Sequence, residues 1–179
     1  EEEDIMDEAI GSKIDDYLIK PVNPKQIILA IKKNVDQNRL ITEKTTSKYQ
    51  TEFNKISSAI STASEFNDWF NLYQDLIYWE LELDKTQENT MDEVLVMQKN
   101  EANTAFAKYI KRQYTSFFDD KEVDKPLLSP NVFKYKVFDH LKENEKVFDL
   151  LVDNLRYDQW KILQPDIREY FHLSDEDLF

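Results

Sequence analysis

The chain has 179 residues, of which 41% are hydrophobic, so it is long and apolar enough to fold around a core. Its formal net charge of −13 disfavours direct binding of nucleic acid, and its single glycine argues against a glycine-loop nucleotide domain. The absence of cysteine excludes disulfides and thiolate metal sites and suits a cytoplasmic protein.

The N-terminal part of the sequence alternates between helical and strand patterns. Residues 1–10 place apolar side chains on one helical face, and Gly11 is a typical helix stop. The short apolar run 17–19 has the length of a buried strand and is ended by Pro21. Asn23 then caps a further helix. This order is typical of the last strand of a doubly wound parallel sheet.

The middle of the sequence is helical by its apolar spacing. After the helix that starts at Asn23, a threonine-rich break is predicted at residues 42–47. Apolar side chains then recur at helical spacing in the segments 49–63, 66–81 and 91–117. Short connections between them predict an up-down three-helix bundle. The aromatic side chains of these segments are better explained as core than as a ligand site, since each falls on the inward face.

The C-terminal part again mixes the two patterns. Residues 129–141 predict a helix that starts at a serine–proline pair, and residues 147–152 predict a buried strand. Asp153 closes this strand, and another helix is predicted from Leu155 until Pro165. The predicted fold class is therefore mostly α, with a central three-helix bundle flanked by partial α/β pieces.

The run Tyr17-Leu18-Ile19-Lys20-Pro21-Val22-Asn23-Pro24 resembles the C-terminal third of a response-regulator receiver domain. In that family a strand-end lysine contacts the phosphoryl group on a distant aspartate, and the following proline, often after a cis bond, aims it. The resemblance makes Lys20 the phosphoryl contact and puts Tyr17 and Pro21 on the switch and dimer face. A compact ammonium suits a phosphoryl oxygen, although an ordinary Lys-Pro pair at a strand exit is the alternative.

The run Val152-Asp153-Asn154-Leu155-Arg156-Tyr157-Asp158-Gln159-Trp160 resembles the opening strand of the PglZ branch of the alkaline-phosphatase superfamily. In that family an aspartate at the strand's carboxyl end ligates a catalytic metal. The resemblance makes Asp153 a metal ligand, with Asp158 as a weaker candidate. From the residues alone, the simpler explanation is that Asp153 or Asn154 caps the next helix.

Other candidate ligands are isolated in the sequence. His140 and His172 are the only histidines, and solvated helix faces explain them better than a shared metal site does. The acidic runs 1–4 and 175–177 lack the ligand spacing of a calcium loop. No catalytic residue is assigned to this chain.

Receiver end, helical bundle and PglZ start, in this order, resemble the PorX-type response regulators with a PglZ effector, which control type IX secretion and gliding. The resemblance implies three parts: the C-terminal part of a receiver domain at 1–40, a bundle linker at 41–125, and the start of an alkaline-phosphatase-like domain at 126–179. The chain, which begins at Glu1, is expected to be an internal piece, with the acceptor aspartate before it and a threonine nucleophile after it.

The same resemblance implies partners and cofactors. A sensor histidine kinase would phosphorylate the parent protein, which would form a homodimer through the receiver face. Magnesium would bind the receiver and zinc the effector, a phosphodiesterase or phosphatase. No apolar run approaches the roughly 20 residues of a membrane span. The alternatives are a non-catalytic helical interaction scaffold and a DNA-binding regulator, the latter disfavoured by the charge and by the lack of a basic helix-turn-helix.

Overall fold

The structure, a computed structural model, describes residues 18, 20–86, 91–119, 125–142, 146–174 and 176. Within these ranges the chain is mostly helical and contains no strand. The α-helices are α1 (Pro24–Thr62), α2 (Phe66–Asp84), α3 (Asp92–Gln113), α4 (Val132–Lys136), α5 (Phe138–Lys142) and α6 (Tyr157–Arg168). Two 3-10 turns, Ser116–Phe118 and Ser129–Asn131, complete the set.

Helix α1 starts where the sequence predicts. The Asn23 side chain accepts a hydrogen bond from the Lys25 N–H at 3.0 Å, and the Gln26 side chain accepts one from the Asn23 N–H at 3.0 Å. This reciprocal capping box satisfies backbone donors that the first turn leaves without helical partners. Pro24 at the first helical position is already restrained to a helical φ.

The break predicted at residues 42–47 is wrong, because α1 runs through it without interruption to Thr62. A threonine in a helix costs only about half a kcal/mol relative to alanine, and this stretch contains neither glycine nor proline. Thr42 is buried, which adds packing in favour of the helix. One continuous helix of 39 residues therefore spans the boundary predicted between the first two parts of the chain.

The second half of α1 packs with α2 and α3 into the predicted three-helix bundle. Helix α3 ends at Gln113, earlier than predicted, but the 3-10 turn after it still buries Phe117. Burying each large apolar side chain contributes roughly 1.5–3 kcal/mol. The buried residues that share this core are Tyr49, Ile56, Ile60, Trp69, Leu72, Leu76, Trp79, Leu83, Leu95, Ala102, Tyr109 and Phe117.

Helix α2 begins at a second capping arrangement. The Asp68 carboxylate accepts hydrogen bonds from the backbone N–H groups of Ser64 and Glu65, each at 2.9 Å. These charge-assisted bonds hold the pKa of Asp68 below its usual value. The turn between α1 and α2 is thereby fixed by one side chain.

The strand predicted at residues 147–152 is not formed. These residues have no regular secondary structure, and Phe148 and Leu151 are 86% and 92% exposed. A strand needs a neighbour to complete its backbone hydrogen bonds, and the described part of the chain offers none. Of the earlier predicted strand, Tyr17 and Ile19 lie outside the described residues, as do the predicted helix 1–10 and Gly11, so neither α/β flank is confirmed.

Two predicted helix limits in the C-terminal part are corrected. The helix predicted at 129–141 is divided into a 3-10 turn, α4 and α5. Helix α6 begins at Tyr157 rather than Leu155 and continues through Pro165 to Arg168. Proline removes one helical hydrogen bond, but only the last turn follows it here.

Candidate functional site

A cluster of polar groups lies between α1 and α3 inside the bundle. The Tyr49 hydroxyl donates a hydrogen bond to Gln98 Oε1 at 2.7 Å. Gln98 Nε2 donates to the Phe53 carbonyl at 3.0 Å and to the Ser57 hydroxyl at 2.9 Å. Tyr49 and Gln98 are only 0% and 2% exposed. We call these four residues the α1–α3 polar cluster.

The α1–α3 polar cluster sets how α1 and α3 align along their axes. The oxygen and the nitrogen of the Gln98 amide both have hydrogen-bond partners. Each buried polar group that loses its partner costs about 1–3 kcal/mol of stability. A slide of one helix along the other would break all these bonds together. Burial also raises the pKa of Tyr49 to about 12, so its hydroxyl remains a neutral donor near neutral pH.

Helix α3 is connected to α2 directly after Gln98. Lys99 Nζ lies 2.5 Å from Glu80 Oε1, and both side chains are partly exposed. The Trp69 ring of α2 also contacts the rings of Phe106 and Tyr109 of α3, with centroids 5.4 Å and 5.7 Å away. A partly exposed ion pair contributes about 0–1 kcal/mol, so the aromatic packing is the stronger connection.

Helix α2 in turn packs against α6. The Tyr73 ring of α2 lies 5.8 Å from the Tyr157 ring at the start of α6. Burial raises the pKa of Tyr73, and the nearby carboxylates of Asp158 and Glu80 raise it further. The first turn of α6 therefore lies within electrostatic reach of the bundle.

The end of the described chain folds back onto α6. Glu176 accepts hydrogen bonds from Trp160 Nε1 at 2.9 Å, Lys161 Nζ at 2.8 Å and Gln164 Nε2 at 3.2 Å. Burial alone would raise the pKa of Glu176, but these donors outweigh it and lower the pKa. The Glu176 carboxylate therefore holds the end of the described chain against the part of α6 that precedes Pro165.

The receiver-like residues lie at the start of the described chain. Lys20 and Pro21 are exposed, and the peptide bond between them is cis. Tyr17 lies outside the described residues. The phosphoryl-contact role of Lys20 and the switch role of Tyr17 and Pro21 stay predictions.

The predicted metal ligands occupy different surroundings. Asp153 is exposed in a turn in which Asn154 has a φ of 57°. The N-cap residue of α6 is Arg156, so capping by Asp153 or Asn154 is wrong. The Asp158 carboxylate accepts two hydrogen bonds from the Arg156 guanidinium, at 2.9 Å and 2.7 Å, and this pairing lowers the pKa of Asp158.

Zinc does not fit the described residues by themselves. A protein zinc site needs three or four ligands, and no group of three or more His, Cys, Asp or Glu side chains in the described ranges is arranged to hold a metal. His140 and His172 belong to no such group. Asp153 and Asp158 remain predicted ligands that would need further partners.

Sequence reasoning missed the α1–α3 polar cluster. The signal was present, because Gln98 occurs at helical spacing among the buried residues Leu95, Ala102 and Tyr109 of α3. A lone glutamine on an apolar face is a candidate buried amide, but its partners are 41 to 49 residues away in sequence.

Among the described residues no helix combines the length and the apolar character required to cross a membrane. No match was found among curated proteins. Residues 39–118 match the family described as the PorX response regulator linker domain. The match covers the part of α1 that enters the bundle, all of α2 and α3, and the α1–α3 polar cluster. Residues 39–118 are therefore similar to the PorX response regulator linker domain, and this match supports an internal segment of a PorX-type response regulator.

Proposed function

We propose that the three-helix bundle couples the phosphorylation state of a receiver domain to the position of an effector domain. The observation that carries this proposal is the continuity of α1. One helix without a break begins directly after the receiver-like residues Lys20 and Pro21 and ends inside the bundle core. A continuous helix that is anchored in a core at one end transmits a displacement of its other end to that core.

The contacts described above give the displacement a route to α6. Helix α1 is joined to α3 by the α1–α3 polar cluster, and α3 is joined to α2 by aromatic packing and by the Lys99–Glu80 pair. Helix α2 then contacts α6 through the Tyr73 and Tyr157 rings. Asp158, the weaker predicted metal ligand, lies in the first turn of α6.

For the whole protein we propose a cytoplasmic two-component response regulator that controls type IX secretion and gliding. A sensor histidine kinase phosphorylates it with magnesium in the receiver, and it forms a homodimer through the receiver face. The effector is a PglZ-type, zinc-dependent phosphodiesterase or phosphatase to which Asp153 contributes a ligand. The resemblance of both flanks and the family match of the bundle support this proposal.

The test is hydrogen exchange in the intact response regulator with and without beryllofluoride, an analogue of the phosphoryl group. Coupling predicts that exchange changes in the bundle, at 48–117, and in α6. The double variant Thr45→Gly/Thr46→Gly weakens α1 outside the core and should confine the change to residues before 45, since each glycine costs up to about 1 kcal/mol in a helix.

The matched control is Thr45→Ala/Thr46→Ala, which changes the same positions but favours the helix. It should transmit the change as the unaltered protein does. Unchanged exchange in the bundle and an unchanged oligomeric state on beryllofluoride binding would contradict the coupling proposal.

A non-catalytic interaction scaffold is the second candidate function. The observation in its favour is the Arg156 guanidinium, which already neutralises the Asp158 carboxylate with two hydrogen bonds. Asp153→Ala in the intact protein distinguishes the two. Loss of bound zinc and of phosphodiester hydrolysis supports the enzyme, whereas unchanged values of both support the scaffold.

A further inference from the structure

A groove with cations along one side lies between the C-terminal ends of α1 and α3. Its volume is about 460 Å³. The apolar lining comes from Ile60 of α1, Ala63 at the C-terminal cap of α1, Trp69 of α2 and Ala105 of α3. The charged lining is formed by Lys108, Lys111 and Arg112. We call this surface the basic groove.

The three cations of the basic groove lie on one face of α3. Lys108, Lys111 and Arg112 are spaced i, i+3 and i+4, so their side chains are neighbours, and like charges at this spacing destabilise a helix. None of them pairs with a carboxylate of the described chain. The adjoining depression, which Lys108 also lines, includes one acid, Glu101.

Stabilisation of the helix end accounts for only part of this cluster. Lys111 and Arg112 occupy the last turn of α3, where cations offset the negative end of the helix dipole. Lys108 lies a turn earlier, and the dipole effect declines within one turn. The chain has 36 Asp and Glu residues against 23 Lys and Arg residues. Three unpaired cations around one concavity therefore contrast with the negative net charge of the chain.

Trp69, one of the residues that line the basic groove, has an unsatisfied donor. The indole N–H of Trp69 has no hydrogen-bond partner in the described chain, although the residue is buried. A buried unpaired donor costs about 1–3 kcal/mol. Bundle packing alone therefore leaves this one donor of the described chain unsatisfied.

We propose that the basic groove binds an acidic, amphipathic segment of a partner protein. Carboxylates of the segment would pair with Lys108, Lys111 and Arg112, and an aliphatic side chain would cover the apolar lining beside Ala105 and Trp69. Nucleic acid suits the groove less, because three cations in a chain of net charge −13 do not offset the repulsion of a polyanion. The three cations take no part in the contacts proposed for coupling, and only Trp69 is shared with them. The variants of the test change the cations alone, so the two proposals stand separately.

The test is the binding of two synthetic helical peptides to the full chain, followed by fluorescence anisotropy. One peptide carries Leu and Glu at i, i+3 and i+4 spacing, and the other has Lys in place of each Glu. General attraction to a chain of charge −13 favours the Lys peptide. The proposal predicts that the Glu peptide binds more tightly and that salt weakens its binding.

The variant Lys108→Glu/Lys111→Glu/Arg112→Glu should weaken binding of the Glu peptide by about tenfold or more, or 1.4 kcal/mol or more. The control Lys25→Glu/Lys32→Glu/Lys44→Glu makes the same change in net charge on the exposed part of α1 and should weaken it far less. If charge reversal reduces the helix content by circular dichroism, Lys108→Gln/Lys111→Gln/Arg112→Gln replaces it and should also lose binding.

Three results would overturn the proposal. One is binding of the Lys peptide as tight as that of the Glu peptide. Another is an equal loss of binding in the groove and control variants, because it would indicate general electrostatics. The third is full displacement of the Glu peptide by inorganic phosphate at equal concentration, because it would indicate a small-anion site rather than a peptide site.

Discussion

The two halves of α1 have the same helical pattern but opposite surroundings. In the first half Ile31 is 59% exposed, and Ile28 and Val35 are similarly open. In the second half Ile56 is 3% exposed, and Tyr49 and Ile60 are also buried. Apolar spacing thus predicts that a helix forms and which face is apolar, but not whether another element covers that face.

The largest expected effect tests this contrast with one substitution made in each half. Ile56→Ala should lower the free energy of unfolding by about 2–5 kcal/mol, because it removes buried contacts and leaves a cavity. Ile31→Ala should change it by no more than about 0.5 kcal/mol, because the side chain is exposed. Urea denaturation of the chain measures both, and equal losses would show that the first half is packed in solution.

The next effect comes from the α1–α3 polar cluster, which only the packed half possesses. Gln98→Leu should cost about 1–3 kcal/mol, because the Tyr49 hydroxyl loses its buried acceptor. Gln50→Leu on the exposed face of α1 is the matched control and should cost much less. In the double variant Tyr49→Phe/Gln98→Leu the cost should be less than the sum of the single costs; strict additivity would mean that the two residues do not interact.

A smaller effect is expected from the helix caps, one at the exposed start of α1 and one at the packed start of α2. Asp68→Ala should cost about 1 kcal/mol, because the Ser64 and Glu65 N–H groups lose their acceptor. Asn23→Ala, at the open start of α1, should leave global unfolding almost unchanged and increase hydrogen exchange only in the first turns. A global loss as large as that of Asp68→Ala would contradict this expectation.

The Asp68 cap also predicts a pH dependence. The pKa of Asp68 is lowered on folding, so its contribution is complete above the usual value of 3.8 and is lost as the pH falls through the lower folded value. Between pH 7 and pH 5 the difference in stability between the wild type and Asp68→Asn should be constant. Below pH 3.8 it should shrink, and urea denaturation over this range checks the direction.

The smallest expected effect concerns the Lys99–Glu80 pair between α3 and α2. Lys99→Met should change the free energy of unfolding by about 0–1 kcal/mol, because both side chains are partly exposed. The effect should decrease further in 1 M salt, where charges are screened over about 3 Å. A loss as large as that of Gln98→Leu would indicate that this pair, rather than the buried cluster, determines the helix alignment.

The sequence predicted the helices of the bundle because their apolar spacing and caps are local signals. The helix break predicted at residues 42–47 was wrong because threonine differs from better helix formers by only about half a kcal/mol. The helical turns on both sides therefore determined that this stretch is helical. The sequence prediction failed at 147–152 because a strand depends on a partner that lies elsewhere in sequence. The hydrogen-bond partners of Gln98 could not be predicted for the same reason, since they belong to another helix.

The length of α1 has a mechanical consequence. From Tyr49 back to Pro24 the helix extends roughly 37 Å at 1.5 Å per residue. If α1 tilts by about 5° around the α1–α3 polar cluster, its first turn moves by roughly 3 Å. Helix displacements of 1–2 Å at protein interfaces are enough to switch packing. A small tilt of α1 around its residues in the core, one that does not disturb the bundle, would therefore give a large displacement at the open end of the helix.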